Sequence, residues 1–165
     1  MINFIEAFNQ GQEAVVIAEE NNLEIRLVFD ELNNQLSNAT KGQIKIRIGL
    51  SIKLSKPKID NASLDVAKFN NIFSNKVTTN ESFFKEENDE SIIAYNPSVE
   101  NSKKIEIAKW SKDNKGYPCK ITRDYRQHYC EDKIALENTL ADMLKDPSVG
   151  KIFQELMQPL ENKAA

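Results

Sequence analysis

Residues 43–55 read QIKIRIGLSIKLS, with Ile44, Ile46, Ile48, Leu50, Ile52 and Leu54 at every even position and polar, basic or glycine residues at every odd one. A period of two sends alternate side chains to opposite faces of a strand. One face of this segment is therefore aliphatic, and the other carries Lys45, Arg47 and Lys53. A buried face backed by a wet one belongs to an antiparallel sheet covered on a single side. At about 3.3 Å per residue a strand of this length would reach roughly 43 Å, far beyond the usual five or six residues, which predicts a bend or bulge at Gly49.

The same alternation returns in SIIAY (91–95), KIEIAKW (104–110), YPCKITR (117–123) and RQHYC (126–130). Asn96-Pro97, the run DNKG (113–116) and a two-residue Asp124-Tyr125 connection separate them, which predicts an antiparallel meander over 91–131. The short turn would set Arg123 opposite Arg126, Ile121 opposite His128 and Cys119 opposite Cys130. In KIEIAKW, inward Ile105 and Ile107 leave Lys104, Glu106, Ala108 and Trp110 pointing out; in the hairpin, Lys120, Thr122, Gln127 and Tyr129 point out. Pro118 has no donor for a ladder, so it predicts an edge or first-strand position.

Helices flank these strands. In residues 2–37 the series Phe4, Phe8, Gly11, Val15, Ala18, Asn22, Ile25, Phe29, Leu32 and Leu36 alternates steps of four and three, a heptad seam. LEIRLVF (23–29) also alternates like a strand, but the helical period continues through Leu32 and Leu36 until Thr40, Lys41 and Gly42 supply a turn. Ile5, Val16, Ile17, Leu23, Leu27 and Val28 lie off the seam, which predicts burial on more than one side: two amphipathic core helices broken near Asn21 and Asn22. The alternative is a coiled coil, and with it a homodimer through the N-terminal helices. The seam-edge residues Gln12, Ala14, Asn33 and Gln35 lack the opposite charges such a pair uses. Residues 132–158 form two further helices, one from about Asp132 to Lys145 and one capped by Asp146 with Pro147 at its first position. Residues 56–90 are an Asn-rich, then acidic excursion, with a helix at 64–73 and a loop at KEENDE (85–90). The expectation is a single α+β domain, residues 1–165, with terminal helices packed on one face of an antiparallel sheet of about five strands.

At 165 residues the chain can bury roughly two thirds of the surface its unfolded form exposes. Its 40% hydrophobic and 28% charged residues are those of an ordinary globular protein, while eighteen Asn against five Gly and five Pro is unusual. No apolar run is long enough for a membrane helix, and MINFIEAF carries Glu6 where a secretory signal wants basic residues. Two cysteines do not make a disulfide framework, and reduced thiols in the cytoplasm are expected.

Charge is strongly partitioned. Residues 41–58 hold six basic and no acidic side chains and residues 101–126 hold eight and three, whereas residues 1–40 hold one and seven. The strands are basic and the helices acidic, in a chain whose net charge is −3. If acidic helices cover one face, the other gathers Lys45, Arg47, Lys53, Lys104, Trp110, Lys120 and Tyr129, the expected binding residues. Cations interleaved with aromatic rings suit an acidic protein surface, or single-stranded nucleic acid, whose phosphates they neutralise and whose bases they stack.

Catalytic signals are weak. Cys119, His128 and Cys130 share one hairpin face, but no Cys-x-x-Cys knuckle supports zinc. His128 is the one imidazole base and no Gly-x-Ser-x-Gly elbow accompanies it. The glycines Gly11, Gly42, Gly49, Gly116 and Gly150 are too scattered for a phosphate loop, and Glu106 and Lys109 would face opposite ways on a strand. Neither a cofactor nor a metal is expected. The reading is a small non-enzymatic binding protein of accessory or inhibitor type that engages an acidic protein. A single-stranded nucleic-acid binder is the first alternative, and a hydrolase or nuclease without a recognisable motif the second.

Overall fold

The alternating segments pair in chain order into one antiparallel sheet: β1 (Lys45–Leu50), β2 (Glu90–Tyr95), β3 (Ile105–Asp113), β4 (Gly116–Arg123) and β5 (Arg126–Cys130). The computed structural model describes residues 1–51 and 89–157. The helix predicted at 64–73, most of the excursion at 56–90 and the far end of the strand predicted at 43–55, Lys53 included, lie outside the described residues. Three helices, α1 (Phe4–Thr40), α2 (Lys133–Lys145) and α3 (Pro147–Met157), complete the described fold. The expected α+β architecture is thus observed. Ile25, Val28 and Phe29 of α1, Leu136 and Leu140 of α2, and Val149 and Leu156 of α3 share one core with the inward residues of the strands.

β1 follows the parity of its sequence at first, with Ile44 and Ile46 buried and Lys45 and Arg47 exposed. Its register with β2 runs unbroken from Lys45 opposite Tyr95 to Leu50 opposite Glu90. No bulge occurs at Gly49; the irregularity lies one strand further on. Ile92 faces Ala108 while Ile93 faces Glu106, so Ile107 is an extra residue in β3. A bulge of this kind reverses the alternation beyond it. Ile107 and Ala108 are both buried and Trp110 is inward, 4% exposed. The outward positions expected for Ala108 and Trp110 are therefore corrected, and Lys109 takes an outward one instead. The Trp110 ring meets the ring of Phe29 edge-on, centroids 5.3 Å apart.

The carbonyl of the bulged Ile107 accepts from Nη1 of Arg123 at 3.1 Å. Nη2 of the same guanidinium donates to the Ser148 hydroxyl, and its Nε lies 3.5 Å from the Asp146 carboxylate. Asp146 in turn caps α3: Ser148 donates to its Oδ1 from the hydroxyl at 2.7 Å and from the backbone N–H at 2.8 Å. These bonds, with Arg123 nearby, hold the Asp146 carboxyl below its usual range. One arginine thus links the bulge to the first turn of α3.

The hairpin β4–β5 has the predicted register, Cys119 opposite Cys130 and Ile121 opposite His128. Asp124 and Tyr125 form its turn with φ of 49° and 63°, the left-handed pair that matches the twist of the strands. β4 is an internal strand, not the edge or first strand that Pro118 suggested. The β3–β4 register shifts between Lys112 and Asp113, so that Gly116 faces Asp113 and Cys119 faces Lys112, and Pro118 sits within that irregularity, where no ladder donor is required.

α1 is one continuous helix of 37 residues, not two. Asn3 caps it by accepting from the N–H groups of Ile5 and Glu6. Lys41 ends it in the left-handed conformation. The polar pair Asn21 and Asn22, read as a break, is where the β3–β4 turn meets the helix: Asn21 Nδ2 donates to the Lys115 carbonyl at 2.9 Å and Lys112 Nζ donates to Asn22 Oδ1. A Cβ on Gly116 would stand 2.7 Å from Cβ of Asn21, so the turn needs glycine there. From Ile25 onward the helix packs on the sheet; before Asn21 no side chain is buried.

The edge strand β1 is closed by α1 itself. Asn33 donates from Nδ2 to the Ile46 carbonyl and accepts at Oδ1 from the Ile46 N–H, both at 2.8 Å, reproducing the two bonds of a neighbouring strand. Thr40 Oγ1 accepts from the Ile44 N–H at 3.2 Å. At the far end of the core, buried Asn96 donates to the Leu156 carbonyl at 3.0 Å, holding the last turn of α3 against the β2–β3 connection.

Two substitutions test this account by denaturant unfolding monitored by circular dichroism. Trp110→Ala should cost about 3–5 kcal/mol, as for a buried aromatic removed from a packed core. Asn33→Ala, which leaves the Ile46 amide and carbonyl without partners on a half-buried edge, should cost about 1–2 kcal/mol. A Trp110 variant with unchanged stability would contradict the bulge.

Candidate interaction face

The face of the sheet turned away from the helices can be read from the register. Lys45 pairs with Tyr95 and Arg47 with Ile93. Lys109 lies between Ser91 and Thr122, and Lys120 between Ser111 and Tyr129. Of the predicted binding residues, Lys45, Arg47, Lys120 and Tyr129 are brought to this face. Trp110 is not, for the reason just given, and Lys104 precedes β3 by one residue in an exposed connection. Lys109 and Tyr95 join them, Lys109 because the bulge turns it outward and Tyr95 because it pairs with Lys45 at the end of β2.

The aromatic and basic groups touch. The Arg47 guanidinium carbon stands 6.0 Å from the centroid of the Tyr95 ring, within cation–π range. Gly49 permits this reach along the strand, since a Cβ there would lie 2.8 Å from Arg47 Nη1. Tyr129 is exposed and donates its hydroxyl to Gln127 Oε1 at 3.1 Å.

The face is not uniformly wet. Ser91 and Ile93 share it with Arg47 and Lys109, yet they are 0% and 1% exposed. The Ser91 hydroxyl lies 2.6 Å from that of Ser51. Its cations therefore border a buried centre. Glu106, opposite Ile93, and Asp113, at the end of β3 on the parity of Lys109 and Ser111, are its acids on the described strands. Among the described residues the ion pairs are Lys103 with Glu155, Arg123 with Asp124 and Asp146, and two within α2 or at its end; none includes Lys45, Arg47, Lys109 or Lys120.

The hairpin residues weighed as ligands part company. Cys119 and Cys130 are fully buried, and the Cys130 thiol lies 3.4 Å from the Thr139 hydroxyl of α2. Burial pushes the Cys119 thiol up to about 12, with the neighbouring Cys130 adding to it, and raises Cys130 too. His128, on the same hairpin face as the two cysteines by register, is nevertheless exposed because β5 is an edge strand. It lines a cleft of about 370 Å³ with Arg126, Thr139, Asp142 and Asp146, where acids and bases are mixed. Among the described residues no three His, Cys, Asp or Glu side chains converge in a way that would hold a metal ion. No described helix is long and apolar enough to cross a membrane.

No family model, no curated protein and no solved structure matches the chain.

The buried thiols supply a check on this side of the molecule. At pH 8 both cysteines should be protonated and shielded, so a disulfide reagent should label neither in the native protein and both after unfolding in denaturant. Because the folded values are raised, the thiols' contribution to stability is complete below the ordinary value of 9.0 and is lost as pH climbs toward about 12. Rapid labelling of native protein at pH 8 would contradict the packing of α1 on β4 and of α2 on β5.

Proposed function

We propose that the chain is a small, non-enzymatic binding protein, of accessory or inhibitor type, that engages an acidic surface of a protein partner through the outer face of its sheet. One observation carries this reading: Lys45, Arg47, Lys109 and Lys120 stand on one side of the sheet with Tyr95 and Tyr129, and no described carboxylate is ion-paired with any of them. Cations held on neighbouring strands steer and orient an acidic partner, and tyrosines add contact area at low entropic cost. A cytoplasmic setting is part of the proposal, supported by two buried cysteines that remain free thiols. Self-association through α1 belongs to it as a separate surface.

Single-stranded nucleic acid is the second reading, favoured by exposed Tyr129 standing beside Lys120 in register. The loss of Trp110 to the core removes the strongest stacking group from that reading.

The double variant Lys45→Glu, Lys120→Glu separates the two readings. Used as bait in a nuclease-treated lysate, the native chain should retain a partner that the variant loses, with affinity weakened at least about tenfold and more at low salt than at high. Fluorescence anisotropy with a labelled oligonucleotide should show no more than weak association. Binding that falls steeply with salt and is lost on Tyr129→Ala would instead select the nucleic-acid reading. If the variant retained every partner of the native chain, the sheet face would not be the binding surface.

A further inference from the structure

We propose that two copies of the chain pair through the first half of α1, antiparallel, with Gly11 at the twofold axis. From Phe4 to Glu20 the helix leaves the body of the fold, and its apolar side chains stay open: Phe4 is 77% and Phe8 64% exposed. A helical stretch of that length is marginal in water unless an apolar face is packed. Phe4, Phe8, Gly11, Val15 and Ala18 lie on the same side as Ile25 and Phe29, by the steps of four and three. The seam that closes on the chain's own sheet beyond Asn22 is thus left unpartnered before it.

The body of the fold selects the orientation. A parallel partner lying on the seam would run past Asn22 into the space where the sheet already packs on Ile25 and Phe29. An antiparallel partner needs only the free stretch, bounded by the cap at Asn3 and by the β3–β4 turn at Asn21. Centred on Gly11, this pairing sets Phe4 against Ala18 and Phe8 against Ala14 beside Val15, so large residues meet small ones. Nothing lies within 4 Å of a Cβ built on Gly11, which leaves that point open to close helix approach.

The charge pattern agrees with a second copy. Glu6, Glu13 and Glu20, spaced by seven, line the side of the helix opposite the seam, so the acids do not face one another across it. Glu19 and Glu20 come level with the partner's helix N-terminus, where the backbone dipole favours negative charge. No basic residue precedes Arg26, which disfavours an anionic membrane surface as the occupant. Phe4, Phe8 and Val15 of the seam hold on the order of 400 Å² of exposed surface per copy, roughly 800 Å² for a symmetric pair, which is the size of a weak, concentration-dependent association. The pairing is independent of the sheet-face reading, because it would form in the pure protein with no other partner present.

Sedimentation equilibrium of the full chain should give a concentration-dependent monomer–dimer equilibrium, and Phe8→Glu, an exposed substitution that leaves the circular dichroism unfolding midpoint of the body in place, should weaken dimerisation at least tenfold. Orientation is read by mixing Phe4→Cys with Ala18→Cys and adding a short bifunctional maleimide. The unlike chains should cross-link, whereas Phe4→Cys alone should not, its two sites being roughly 20 Å apart in the antiparallel pair. A monomer at all concentrations, a dimer indifferent to Phe8→Glu, or Phe4→Cys cross-linking to itself would each overturn the proposal; binding of the monomer to phosphatidylserine vesicles would overturn it in favour of a membrane.

Discussion

A single extra residue in β3 sets the layout of this protein. Ile107 interrupts the pairing with β2 and turns the following side chains to the opposite faces. Through that reversal Trp110 closes against Phe29 and Lys109 points out. The bulge also leaves a carbonyl outside the ladder, and a buried carbonyl without a donor is costly. Arg123 supplies the donor, and because the same guanidinium reaches Ser148 and Asp146, the start of α3 is tied to the bulge. The local irregularity therefore determines which residue of the sheet is core, which is surface, and where the last helix begins.

The opposite margin of the sheet is secured by a different device. An edge strand presents unpaired amides and carbonyls that invite another chain. Here Asn33 satisfies both groups of Ile46, and Thr40 takes the amide of Ile44, so one long helix serves as cover for β1 and as a wall of the core. This closure matters for the proposed binding surface. With the edge of β1 occupied by α1, the side chains of the outer face, not the backbone at that margin, are what β1 presents to a partner.

Much of this was legible in the sequence, for a reason that lies in the signals themselves. The strands follow a period of two that any covered antiparallel sheet imposes, and Asp124-Tyr125 between two such runs leaves room only for a two-residue turn, so the hairpin register followed. The bulge left no such mark. KIEIAKW alternates without a glycine or proline to flag an extra residue, and simple parity therefore carried Trp110 to the wrong face. Gly49 drew attention instead, although its role is to give room to Arg47. The asparagines at 21 and 22 were equally ambiguous: polar residues in an apolar stripe mark a break in one context and a docking point for a turn in another, and the contact with Lys115 spans a long interval of chain that local pattern does not encode. On the outer face, parity gives the positions of Lys45, Arg47, Lys120 and Tyr129, whereas Lys109, beyond the bulge, has no mark in the alternation.

The separation of charge by element has a physical consequence that pI conceals. The acids of α1 lie on the helical side of the core and Lys45, Arg47, Lys109 and Lys120 on the other, about 10 Å or more apart across a helix packed on a sheet. That spacing is comparable to the screening length at physiological salt, so the acidic helices neutralise little of the potential over the sheet. The described ion pairs follow the same division: Glu155, Asp146 and the acids of α2 are taken up by Lys103, Arg123 and the lysines of α2 itself. On the proposed reading, what attraction remains over Lys45, Arg47, Lys109 and Lys120 is the part an acidic partner would meet. Net charge alone therefore does not argue against that reading, because geometry and screening decide what an approaching molecule meets.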